Sequence, residues 1–172
     1  MALMDTIGIS SLLARKSAED PNGTFASFHG ARITFSTLDH QANALAAELM
    51  LRGLVSGDRV GVMMQNCPEV LAVVFGIARA GMVWVPLNAK QRGPGLRYIL
   101  EHATPSLVIA DSDLVDAIAD CGAQIATDRI LVKGERQPYA QLAEVLGASR
   151  DFPRTNHAPG TPFAIMYTSG TT

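Results

Sequence analysis

Cysteine is scarce in this chain of 172 residues: only Cys67 and Cys121 occur. Neither sits in a CxxC or Cys/His spacing, so a disulfide framework and a thiolate metal site are both excluded, and the two read as small buried hydrophobes. The four histidines, His29, His40, His102 and His157, are scattered and suggest no metal centre. Charge is also sparse, with 17% charged residues and a formal net charge of −2. No Lys/Arg stripe is present, which argues against nucleic acid as the partner. Met1–Arg15 has no basic segment followed by a long apolar core and so is no signal peptide. Val70–Leu87 is the one long apolar run, but Gly76, Gly81 and Pro86 interrupt it and Arg79 sits near its middle. A charge there costs about 2.5–3.5 kcal/mol on insertion scales. A buried helix followed by a buried strand is the better reading, and a soluble, cytoplasmic protein is expected.

Several familiar motifs are missing. Gly53–Gly61 is glycine-rich, but its spacing is not GxGxxG and it precedes a strand, so it reads as a helix stop and a turn. No Gly-Lys-Ser/Thr follows Gly170, and Ser169 is not in GxSxG, so neither a Walker-A loop nor a hydrolase nucleophile is supported.

What is present is a globular composition, 48% hydrophobic, in a length that suits one domain, residues 1–172. Ile9–Ala18 predicts a helix. Thr24–Phe28 and Ala31–Phe35 flank His29-Gly30 and predict a hairpin. Ser36 is expected to cap a helix carrying Leu38, Ala42, Leu45 and Leu49 on one face, with Asp39 at the capping-box position and Gly53 at its end. Strand Arg59–Met64 precedes a buried helix with Asn66 as its expected cap and Pro68 in its first turn. Strand Met82–Leu87 then leads to helix Gly93–His102. Strand Leu107–Ala110, helix Asp113–Cys121, one or two short strands in Gln124–Val132 and helix Tyr139–Gly147 follow. After a proline-rich surface connection, Arg150–Thr161, comes a last strand, Phe163–Thr168. This alternation predicts an α/β fold: a largely parallel sheet with helices on both faces, plus the N-terminal hairpin.

The chemistry concentrates at Thr168-Ser169-Gly170-Thr171-Thr172. Hydroxyls around a glycine, straight after a strand, suit a phosphate cradle, in which main-chain N–H groups and hydroxyls donate to anionic oxygens. On these five residues alone, a plain polar loop is an equal reading.

Their surroundings add to this. Tyr167–Thr172 resembles the start of the phosphate-loop motif of the adenylate-forming enzymes, which continues Gly-x-Pro-Lys-Gly. Gly57–Val60, Val62–Glu69, Ala80–Asn88, Leu96–Leu100 and Leu107–Asp111 resemble that family's N-terminal region, in the same order and at the same spacing. Pro86-Leu87-Asn88 is more similar to the acyl- and aryl-CoA synthetases than to peptide-synthetase adenylation domains, the alternative within the family, which usually carry Asp after that Pro-Leu. Ala89–Gly95 departs from the family's acidic helix start, and the stretch before Phe163 lacks a common acidic residue.

The resemblance implies an acid–CoA ligase that joins a carboxylic acid to ATP, releases pyrophosphate and passes the acyl group to coenzyme A. Thr168, Ser169, Gly170, Thr171 and Thr172 would contact the β- and γ-phosphates, with a hydroxyl near Mg²⁺, and no catalytic residue is expected in this stretch. The chain is expected to be the leading part of a longer enzyme and inactive alone. Faces meant for the rest of that enzyme predict a dimer or larger assembly. The competing expectation is a stand-alone α/β binding or scaffold module derived from the family.

Overall fold

In a computed structural model, residues 8–152 and 160–168 are described. The chain opens with α1 (Ile9–Glu19), the antiparallel hairpin β1 (Thr24–Phe28) and β2 (Ala31–Thr34), and α2 (Phe35–Leu51). His29 and Gly30 form the hairpin turn, both with positive φ. Then follow β3 (Arg59–Met63), α3 (Pro68–Arg79), β4 (Val83–Pro86), α4 (Gly93–Ala103), β5 (Leu107–Asp111), α5 (Val115–Asp120), β6 (Ile130–Lys133), β7 (Ala140–Gln141) and α6 (Leu142–Gly147).

β3 to β7 make a five-stranded sheet in the order β4-β3-β5-β6-β7, parallel throughout. Alternation along each strand feeds two cores. Val60, Val62, Leu107, Ile109 and Leu131 face α2, α3 and α6. Met63, Val85, Val108, Ala110 and Val132 face α4 and α5. Helices therefore cover both faces, as the alternation of elements predicts. α3 is apolar nearly all round because it lies between the sheet and α2, and most of it is buried. Among the described residues no helix is long and apolar enough to cross a membrane.

Local details depart from expectation for identifiable reasons. The cap of α2 is Thr34, not Ser36: Thr34 is extended and its Oγ1 accepts from Thr37 N at 3.1 Å. Phe35 enters the helix because its ring packs edge-on against Phe25, at 5.9 Å, and the first turn forms around that contact. Cys67, not Asn66, precedes α3; Pro68 clashes with a helical neighbour and holds Cys67 extended, at φ −154° and ψ 164°. Asp113–Cys121 splits into a 3₁₀ turn, Ser112–Leu114, and α5. In Gln124–Val132 only the end is strand, and Tyr139–Gly147 yields the two-residue β7 before α6. The expected strand Phe163–Thr168 reduces to one parallel bridge, Trp84 to Ala164. Within the Arg150–Thr161 connection, 153–159 lie outside the described residues.

Candidate functional site

In open parallel sheets ligands gather outside the carboxyl ends of the strands, often where the strand order reverses. Here the reversal lies between β3 and β5, and the protein fills it with its own polar groups. Asp111, at the end of β5 and 5% exposed, accepts from Gln65 N at 2.7 Å and from Lys133 Nζ at 3.1 Å. Burial opposes the Lys133 charge, but the Asp111 hydrogen bond and the neighbouring Cys67, Asp111 and Glu69 outweigh it and raise its pKa. Burial, then a hydrogen bond with Glu69, pushes the Cys67 thiol up. Cys121 is buried, as expected, whereas Cys67 is only part-buried. Because the thiolate is the reactive form, native Cys67 should alkylate near neutral pH more slowly than a free thiol, and Glu69→Gln should speed it. Mass-spectrometric labelling kinetics check this; labelling at the free-thiol rate would contradict it.

A cleft lies instead at the β4 edge of the sheet. Residues after the proline-rich connection return beside β4: Trp84 N donates to Phe163 O and Ile165 N donates to Trp84 O, both at 2.9 Å. This sets a further parallel chain segment against β4 and aims 166–168 past that strand's carboxyl end. The result is a cleft of about 460 Å³. Pro86, Leu87, Asn88, Gln91 and Ile99 line one side. Met166, Tyr167 and Thr168 line the other. None of these lining residues is a carboxylate, so nothing in the described wall repels an anion.

Asn88 has a local task. Its Oδ1 accepts from Lys90 N at 2.9 Å and its carbonyl from Gln91 N at 2.8 Å, which closes the turn after β4. An aspartate would accept the same bond, so the turn itself does not separate CoA synthetases from adenylation domains.

Tyr167 is anchored in the cleft wall through its side chain. Its hydroxyl lies 2.7 Å from His102 Nδ1, and the two rings meet edge to face at 5.7 Å and 86°. His102 in turn stacks on Tyr98, with centroids 5.6 Å apart and planes at 15°. Burial, then the nearby Tyr98, pushes the Tyr167 phenol up, so it stays protonated at neutral pH.

Of the predicted phosphate-contacting residues, Thr168 is exposed at the cleft. Ser169, Gly170, Thr171 and Thr172 lie outside the described residues. Sequence reasoning missed Tyr98 and His102. Their i, i+4 spacing places them on one helix face, but nothing local pairs that face with a tyrosine 65 positions on. Among the described residues no group of three or more His, Cys, Asp or Glu side chains gathers as a metal site.

Known proteins resemble this chain in sequence and in fold. Residues 13–172 match the model of the AMP-binding enzymes. The chain is 32% identical over 174 aligned positions to a medium/long-chain-fatty-acid–CoA ligase of Mycobacterium tuberculosis, covering 95% of this chain and 27% of that enzyme. It is 30% identical over 159 positions to 4-hydroxybutyrate–CoA ligase 2 of Metallosphaera sedula, covering 84% of this chain and 29% of that enzyme. The structure is similar to a fatty acyl CoA synthetase of Mycobacterium tuberculosis, with a TM-score of 0.77 and 26% identity over 94% of this chain and 32% of the other. This chain thus spans less than a third of the length of these relatives, and it belongs to the AMP-binding enzyme family.

Proposed function

We propose that residues 1–172 are the N-terminal subdomain of an ATP-dependent acid–CoA ligase and carry the first part of its ATP phosphate loop. One observation carries the reading: residues 163–165 pair beside β4 and lead to exposed Thr168, the first residue of the family-matched, hydroxyl-rich sequence, at a cleft whose described lining is free of carboxylates. Charge repulsion is the physical problem in joining a carboxylate to a nucleotide phosphate, and fixed N–H and hydroxyl donors offset it where charge develops. Thr168, Ser169, Gly170, Thr171 and Thr172 supply such donors to the β- and γ-phosphates. Mg²⁺ is proposed to arrive with the nucleotide, to share the phosphate charge. Coenzyme A then accepts the acyl group.

The two ligases compared above take acids as different as fatty acids and 4-hydroxybutyrate, so the substrate class is a small carboxylic acid, with fatty acids among the acids to test. Cytoplasmic location and a homo-oligomer, simplest as a dimer, belong to the same proposal. The 172 residues alone are proposed to lack activity, since they cover less than a third of each relative. ATP–pyrophosphate exchange tests both parts. The enzyme that carries this chain should show exchange dependent on an added carboxylic acid, and the isolated chain should stay at background. Absence of acid-dependent exchange over a panel of fatty, hydroxy and aryl acids would sink the ligase reading. Exchange by the isolated chain would sink the claim of inactivity.

A further inference from the structure

We propose that His102, braced by Tyr98, is a positioning residue that fixes the root of the hydroxyl-rich loop through Tyr167. The inference rests on the reading of that loop as a phosphate cradle.

The backbone holds this segment only as far as Ile165. Two hydrogen bonds flank Ala164, from Trp84 N and to Trp84 O. Beyond Ile165, no backbone hydrogen bond ties 166–168 to another described residue. Met166 turns outward and is 67% exposed. Ile165 and Tyr167 face inward against the core under α4. Tyr167 is therefore the last residue before Thr168 whose position a specific contact sets. That contact is its 2.7 Å hydrogen bond to His102.

His102 can serve as a fixed point because its helix is fixed. Leu96, Ile99, Leu100 and Ala103 bury the opposite face of α4. Tyr98, one turn earlier, lies flat against the imidazole and limits its rotation. Tyr167 meets the imidazole at a near-perpendicular angle, with ring centroids 5.7 Å apart. A phosphate cradle gains from such fixing, because donors must sit where charge develops and a displacement of about 1 Å can cost about a hundredfold in rate.

The pair also keeps its bond in either charge state of the imidazole. A neutral ring protonated on Nε2 accepts at Nδ1 from the phenol. A charged ring donates from Nδ1 to the phenol oxygen. The contact is thus a brace and not a proton switch.

The test uses steady-state exchange with the enzyme that carries this chain. His102→Leu and Tyr167→Phe should each lower kcat/KM for MgATP about five- to tenfold, the size of one neutral hydrogen bond. KM for the carboxylic acid should stay unchanged. The double variant should be no worse than either single one, because both remove the same bond. His102→Asn should restore most of the loss, since its side-chain amide lies the same number of bonds from Cα as Nδ1. Independent, additive losses, unchanged MgATP kinetics in His102→Leu, or no rescue by asparagine would each overturn the proposal. Nitrogen NMR of the imidazole in the enzyme that carries this chain reads the contact without turnover: Tyr167→Phe should shift the His102 Nδ1 resonance. No shift overturns the brace. A shift in a protein whose unmodified enzyme lacks exchange overturns the ligase reading and with it the positioning role.

Discussion

Arg79→Leu is expected to destabilise the fold by about 3–5 kcal/mol, the usual cost of leaving a buried charge without its partner. The Arg79 side chain is 4% exposed and that of Asp39 13%. Arg79 Nη2 donates to Asp39 Oδ1 at 2.6 Å. Its Nη1 donates to the Asp39 carbonyl and to Asn43 Oδ1, both at 2.8 Å, and Nη2 also reaches the Ser10 carbonyl at 3.4 Å. One guanidinium therefore ties the last turn of α3 to α2 and α1. Its place at the C-terminal end of α3 is also favourable to a cation. Removing it strands the Asp39 carboxylate under α1. Asp39→Ala strands the cation instead and should cost a similar amount. Replacing both with leucine should recover much of the loss, because an apolar pair need not be desolvated. Urea unfolding of the four proteins measures this. If Arg79→Leu shifts stability by less than about 0.5 kcal/mol, within the range of an ordinary surface change, the pair is not a structural tie.

The second large effect lies where α2 crosses α3. Leu45→Ala should cost about 2–5 kcal/mol, the transfer energy of its buried side chain plus the cavity left behind. Leu45 is fully buried. It packs directly on Gly76, where a Cβ would fall 2.9 Å from both Cβ and Cδ2 of Leu45. Gly76→Ala gains about 1 kcal/mol of helix propensity. The overlap with an atom bound to the α2 backbone cannot be relieved by a side-chain rotation, so overpacking of about 1–3 kcal/mol should win. The two changes should not add. In a Leu45→Ala background the Cδ2 clash is gone and the new methyl fills part of the cavity, so the double variant should be more stable than the sum predicts. Additive losses in thermal or urea unfolding would show that α2 and α3 are not in the close contact described. They would also remove the reason for glycine at position 76.

Much of the architecture was legible before the structure. Strand–helix alternation announced a parallel sheet covered on both faces, because period-two and period-3.6 apolar patterns record burial locally. Pro68 marked a helix start, since proline lacks the N–H that an interior position must donate. Arg79 was visible only as an expense within an apolar run.

Most of the elements, their apolar faces and the family could be read from the chain before any packing was known. The partners emerge only on packing. Packing chose Thr34 over Ser36 as a cap because Phe35 packs on Phe25, and it held Cys67 extended before Pro68. It placed Asp39 opposite Arg79, closed the strand-order reversal with Asp111 and Lys133, and brought His102 to Tyr167. Periodicity reports how deeply a residue is buried, but not which of many buried neighbours it will meet. That choice is made when layers pack, and the root of the hydroxyl-rich loop is set by one such choice.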